Sequence, residues 1–146
     1  MILYLLRHGE AEAYGRAADD ASRALVPSGR KAVTRVAIEL ENVDVVFCSP
    51  YLRARQTADL VLPETGQTGY HLNDGLTPDS SIPSLLEWLG AITQERVLLV
   101  AHNPLLSSLA SQLTALPGGV PLGTANLACL RVSDWMPGGA ELVWLK

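Results

Sequence analysis

Three short runs hold most of the residues in this chain that could do chemistry. Leu5-Leu-Arg-His-Gly-Glu10 sets a guanidinium beside an imidazole, and Phe47-Cys-Ser-Pro-Tyr-Leu-Arg53 ends in a second guanidinium. Leu99-Val-Ala-His-Asn-Pro104 supplies a second imidazole. An imidazole attacks phosphorus only when neutral, and its reference pKa of about 6.5 leaves it unprotonated at cellular pH. Neighbouring arginines disfavour its charged form further. The same cations can stabilise charge on the equatorial oxygens of a transferring phosphoryl group, which is most of what a phosphoryl-transfer catalyst supplies. Two histidines and two arginines of this kind point to a phosphate site.

Each run closes a strand-like segment. Residues 2–6, 43–48 and 96–101 are continuous apolar stretches, as expected of strands covered on both faces of a parallel sheet. Helical patterns follow over 27–42, 52–62, 82–92 and 104–116, the second of them stopped near Pro63. Strands alternating with helices predict an α/β fold, and residues 127–132 and 141–145 flank the turn-forming Met136-Pro-Gly-Gly139 as a hairpin-like edge. The polar, alanine-rich stretch 9–26 reads as a surface loop with a helical turn. In open parallel sheets ligands bind beyond the carboxyl ends of the strands, so the three runs can converge on one pocket. Pro50 and Pro104 suit the first position of a helix, with Ser49 and Asn103 as N-caps facing an anion. Arg53 and Arg55 lie two apart on a helix, so they point about 200° apart and only one can face the pocket. Arg53, in the first turn, is the one assigned to the site; Arg55 has Asp59 at the spacing of a surface pair.

Composition bounds the rest. One domain spanning 1–146, with no cap domain, is expected from 146 residues that are 48% hydrophobic. A net charge of −4 argues against non-specific nucleic-acid binding, which needs a basic patch, and no apolar run approaches the ~18 residues of a membrane span. The apolar start meets Arg7-His8 too soon for a signal peptide, and Cys48 and Cys129 form no CxxC pair. A soluble, cytoplasmic monomer is the expectation. No Walker pattern or carboxylate cluster calls for a metal or another cofactor.

Taken together, the motifs resemble those of the histidine phosphatase (phosphoglycerate mutase-like) superfamily. Arg7-His8-Gly9 resembles its Arg-His-Gly signature, and Ser49-Pro-Tyr-Leu-Arg-Ala-Arg-Gln-Thr57 its Ser-x-x-x-Arg-Ala-x-x-Thr motif. His102 matches its late histidine. The short length and the run from Leu25 to Gly29 look most like the SixA-type phosphohistidine phosphatases. The resemblance implies a three-layer α/β/α sandwich with a mostly parallel sheet and an antiparallel edge. It implies His8 as the nucleophile that becomes a transient phosphohistidine, and Arg7, Arg53 and His102 as ligands of the phosphoryl oxygens. Arg23 is a weaker carry-over as a further phosphate contact. The implied activity is metal-independent hydrolysis of phosphohistidine on a protein partner of phosphorelay or phosphotransfer type.

The chain departs from larger family members at Asn103, where some carry an aspartic acid as proton donor. Glu10, Asp19, Asp74 and Asp79 are possible donors, none singled out by spacing. Two rival functions stay open: a small-molecule phosphomonoester phosphatase with the same mechanism, and a non-catalytic phosphoprotein-binding module. His71 lacks a partner motif and reads as structural. Arg30, Lys31 and Arg35 form a basic helix face.

Overall fold

The computed structural model describes all 146 residues. Its elements run β1 (Ile2–Arg7), α1 (Pro27–Ala37), β2 (Val45–Cys48), α2 (Leu52–Thr65), β3 (His71–Leu72) and α3 (Ile82–Gly90), then β4 (Arg96–Ala101), α4 (Leu105–Thr114), β5 (Leu127–Val132) and β6 (Ala140–Leu145). The strands form one sheet in the order β3-β2-β4-β1-β5-β6. The first four run parallel; β5 is antiparallel to β1 and pairs with β6 as the expected hairpin edge.

Both faces of the central strands are buried, which is why they read as unbroken apolar runs rather than alternating ones. The period-2 geometry still divides them. Leu3, Leu5, Val97 and Leu99 pack with Leu85 and Leu89 of α3 and Leu105, Leu106 and Leu109 of α4. Tyr4, Leu6, Leu98 and Val100 pack with Val33 and Val36 of α1 and Ala54, Ala58 and Val61 of α2. The result is three layers. No helix is long and apolar enough to cross a membrane.

Several boundaries differ from the sequence reading. The α1 helix ends at Ala37 instead of near residue 42, but Glu39 and Leu40 N–H donate at 3.0 Å to the carbonyls of Val36 and Ala37. That tighter turn keeps Leu40 buried and so extends the apolar period past the helix. Pro63 does not stop α2, which continues to Thr65 and ends at Gly66 with φ 75°. Thr65 is buried and its carbonyl accepts from Val43 N–H at 2.9 Å, tying the last turn to the chain entering β2. Strand β3 is two exposed residues, too short to leave a pattern. Neither Ser49 nor Asn103 is an N-cap: Tyr51 caps α2 and Pro104 caps α4.

Candidate active site

Parallel pairing brings the two histidines together. The register sets Arg7 opposite Ala101, so His8 and His102 each follow the last paired residue of adjacent strands. Their ring centroids lie 5.1 Å apart. Neighbouring β2 ends at Cys48, and Ser49 N–H donates to the Val100 carbonyl at 3.0 Å, placing the serine beside His102. Arg7, His8, Arg23, Arg53, His102 and Asn103 line one cleft of about 290 Å³ together with Tyr14, Asp20 and Pro78. All five residues picked from the sequence as catalytic or phosphate-binding therefore meet in one place.

His8 is held in a single tautomer. Its Nδ1 lies 2.7 Å from the Gly9 carbonyl, which can only accept, so the proton sits on Nδ1. The lone pair is then on Nε2, where Arg53 Nε donates at 3.3 Å. Gly9 is itself clamped, because its N–H donates to Thr57 Oγ1 at 3.1 Å and Thr57 donates to the Arg53 carbonyl at 2.8 Å. A glycine is required here: a Cβ would meet the Gly29 carbonyl oxygen and Val33 Cγ2, both at 2.8 Å. One helical turn of α2 thus orients the imidazole through Thr57 and contacts it through Arg53.

His102 is arranged differently. Its Nε2 lies 2.7 Å from Ser49 Oγ, and Tyr51 N–H donates to the same hydroxyl at 3.2 Å. The other ring nitrogen, Nδ1, is buried without a partner. Arg7 Nε is likewise buried and unpartnered, while its Nη1 donates to the Leu122 carbonyl at 3.1 Å. Burial first, then Arg53 and Arg7, push the His8 pKa down to about 4. Burial, then His8 and Arg53, push His102 down to about 3. Both rings are neutral at ordinary pH.

Arg53 is buried and Arg55 exposed, as the helix geometry requires. The expected Arg55–Asp59 ion pair is absent; Asp59 accepts from the Tyr70 hydroxyl at 2.8 Å. Arg23 lies over the Tyr14 ring at 4.1 Å and donates to the Glu12 carbonyl at 2.7 Å. None of the four carboxylates considered as donors lines the cleft. Glu10 accepts from Ser28, Asp19 caps a 3₁₀ turn over Asp20–Ser22, Asp79 accepts from Thr77, and Asp74 is exposed. The carboxylate that does line it is Asp20, which no spacing singled out. Ser49 is the other missed contact, hidden because its motif position read as a helix cap. No three His, Cys, Asp or Glu side chains cluster as metal ligands.

A family model described as the histidine phosphatase superfamily (branch 1) matches residues 3–77. The chain belongs to that superfamily. It is a SixA-type member and a phosphatase by family. The structure of the protein histidine phosphatase SixA complexed with tungstate superimposes with a TM-score of 0.85 at 26% identity, over 99% of this chain and 96% of that one. An uncharacterized protein of Picosynechococcus sp. is 34% identical over 71% of this chain and 67% of its own length. A phosphoserine phosphatase of Entamoeba histolytica, in complex with 3-phosphoglyceric acid, shares the fold at 18% identity and a TM-score of 0.72, over 99% of this chain and 96% of that one.

Proposed function

We propose that the protein is a phosphohistidine phosphatase that takes the phosphoryl group from a histidine of a partner protein onto His8 Nε2 and then gives it to water. The observation that carries this reading is the His8 ring, buried, neutral and with its Nε2 lone pair facing an arginine-lined cleft, where Arg53 donates to it. A core histidine has no reason to sit so. Arg7, Arg23 and Arg53 against Asp20 leave the cleft with two excess positive charges, the complement of a phosphoryl dianion. Arg7 Nε and His102 Nδ1, both buried without a partner, would find one in its oxygens. Arg53, beside Nε2, would follow the charge as it develops on the phosphoryl oxygens. The chemistry written this way uses no metal.

The choice of a phosphoramidate over an alkyl phosphate rests on proton supply. An alkoxide leaving group needs a positioned acid. Asn103 cannot be one: its Oδ1 accepts from Ser107 N–H and Oγ at 3.2 and 2.8 Å, and its Nδ2 donates to Leu122. An imidazole can depart already protonated on its far nitrogen. The likeness to SixA points the same way.

The deciding experiment compares turnover of a chemically phosphorylated histidine protein, p-nitrophenyl phosphate and 3-phosphoglycerate, with acid-quenched labelling to find the phosphoenzyme. The expected order is phosphohistidine, then the aryl ester, with the alkyl ester hardly turned over, and an acid-labile label on His8 that His8→Ala removes. Activity is expected to survive chelation. Faster turnover of the alkyl ester than of any phosphohistidine protein would replace this reading with the small-molecule one.

A further inference from the structure

On His8, the nitrogen that stays free of phosphorus donates its N–H to a fixed acceptor, the Gly9 carbonyl. A phosphorylated imidazole on the substrate side has the same need, and the cleft lining holds one carboxylate, Asp20. His8 forms the buried floor, so in-line displacement sends the leaving group towards the opening. Asp20 lies there with its side chain 38% exposed. Its Oδ1 accepts from Arg23 Nη1 at 2.6 Å, its Oδ2 from Arg53 Nη2 at 3.2 Å, and its backbone carbonyl from Arg53 Nη1 at 2.7 Å. Each carboxylate oxygen keeps lone pairs beyond these single bonds.

We infer that Asp20 accepts the distal N–H of the substrate's phosphorylated imidazole and so selects a protonated imidazole as leaving group. This rests on the phosphohistidine reading above and adds the residue that would make the site specific for it. The lone pair of His8 Nε2 forms a bond to phosphorus. The substrate's N–P bond breaks and its electron pair stays on the departing ring nitrogen. The substrate ring enters as an imidazolium and leaves as neutral imidazole, keeping the proton it shares with Asp20. His8 becomes the phosphorylated imidazolium, its proton still on Nδ1 against Gly9. No proton changes hands, so no general acid is needed. Water then attacks phosphorus, the pair returns to Nε2, and dihydrogen phosphate departs with both hydrogens of the water.

A carboxylate between two guanidiniums can do this but cannot act as an acid. Burial alone would raise the Asp20 pKa, but the hydrogen bond from Arg23 and the charge and hydrogen bond of Arg53 outweigh it and hold the group below its usual value. An ionised Asp20 favours a substrate ring that enters with its distal nitrogen protonated and does nothing for an alkoxide.

Asp20→Asn keeps the shape and removes the charge. On a phosphohistidine protein kcat/KM is expected to fall about tenfold to a hundredfold, the range of a hydrogen bond to a charged group. On p-nitrophenyl phosphate, whose leaving group carries no N–H, the loss should be at least about tenfold smaller than on phosphohistidine, so the test is the ratio of the two, and urea unfolding reports that the variant is folded. Inorganic phosphate should inhibit the variant at lower concentration, since an anion beside Arg53 is gone. Asp20→Glu, which restores the charge, should recover part of the lost discrimination. Equal losses on both substrates would overturn the inference, because Asp20 would then only hold Arg53 in place. An unchanged phosphohistidine rate would overturn it too. A wild-type protein inert towards phosphohistidine but active on phosphomonoesters would instead remove the substrate reading, and this inference with it.

Discussion

Keeping two buried histidines neutral makes the fold sensitive to acid in a way that can be calculated. The folded values of about 4 for His8 and about 3 for His102 lie below the ordinary 6.5 that both regain on unfolding. Below pH 6.5 the unfolded chain binds protons that the folded chain refuses, so stability rises with pH through this window and falls as acid is added. The contribution is intact above 6.5 and is lost progressively as pH drops towards the folded values. At pH 5 each histidine should have lost about 2 kcal/mol of stability relative to pH 7.5, or about 4 kcal/mol together. That is a large part of the ~5–15 kcal/mol that holds a domain of this size. Because each ring lies in the field of the other, protonating one makes the second harder to protonate, so the coupling does not reduce the loss.

Urea unfolding of the wild type at pH 7.5 and pH 5 measures the loss. The control is the double substitution His8→Asn and His102→Gln, which keeps a donor near the Gly9 carbonyl and a polar group near Ser49 while removing both titrating rings. The double variant should lose about 4 kcal/mol less than the wild type over the same interval. Parallel losses in the two proteins would show that the rings are not held neutral and would refute the electrostatic account of the site.

Two further outcomes follow from α2. Arg53→Ala should cost turnover at least a hundredfold while Arg55→Ala stays within about twofold, because one touches His8 Nε2 and the other faces solvent; steady-state kinetics decide it, and equal effects would contradict the helix-face assignment. Thr57→Val should destabilise the fold by about 1–3 kcal/mol, the cost of orphaning the buried Gly9 N–H, and should lower kcat more than it raises KM as the His8 ring loses its fixed orientation; urea unfolding and kinetics read the two effects separately, and a variant of unchanged stability would show that the clamp is dispensable.

How much of this was legible beforehand depends on the range over which each feature is determined. The strand-end residues were legible because a buried parallel strand writes itself as an apolar run, and whatever polar group follows it must emerge at the carboxyl edge. Arg53 could be separated from Arg55 because helical angle is a local property. Asp20 was not legible, because the loop that carries it obeys no period. That loop is pinned by Glu12 N–H to the Ala24 carbonyl, Val26 N–H to the Glu10 carbonyl and Arg23 Nε to the Glu12 carbonyl. These bonds fold Asp20 back over Arg53, and only their sum places it. Ser49 was misread for a related reason: a serine before proline reads as a cap until the strand beside it supplies a histidine. Pro63 shows the reverse, a strong local breaker overruled by the burial of Thr65 two residues later.

The same long-range assembly explains why the cleft holds its charges with so little local compensation. Arg53 is buried almost completely, yet its one carboxylate partner is shared with Arg23 and lies at the rim. Arg7 has no carboxylate at all and spends one guanidinium nitrogen on the Leu122 carbonyl. Burial and the neighbouring Arg53 press its pKa down, a sign that the protein works against the charge it keeps there. Unpaired buried cations are destabilising, and the apolar layers on either side of the sheet are what offset them. On the proposed reading, a phosphoryl dianion entering the cleft would relieve that imbalance. More of the relief would come as charge moves onto the equatorial oxygens, so that on this reading the electrostatic stress of the resting protein would become preferential binding of the transition state.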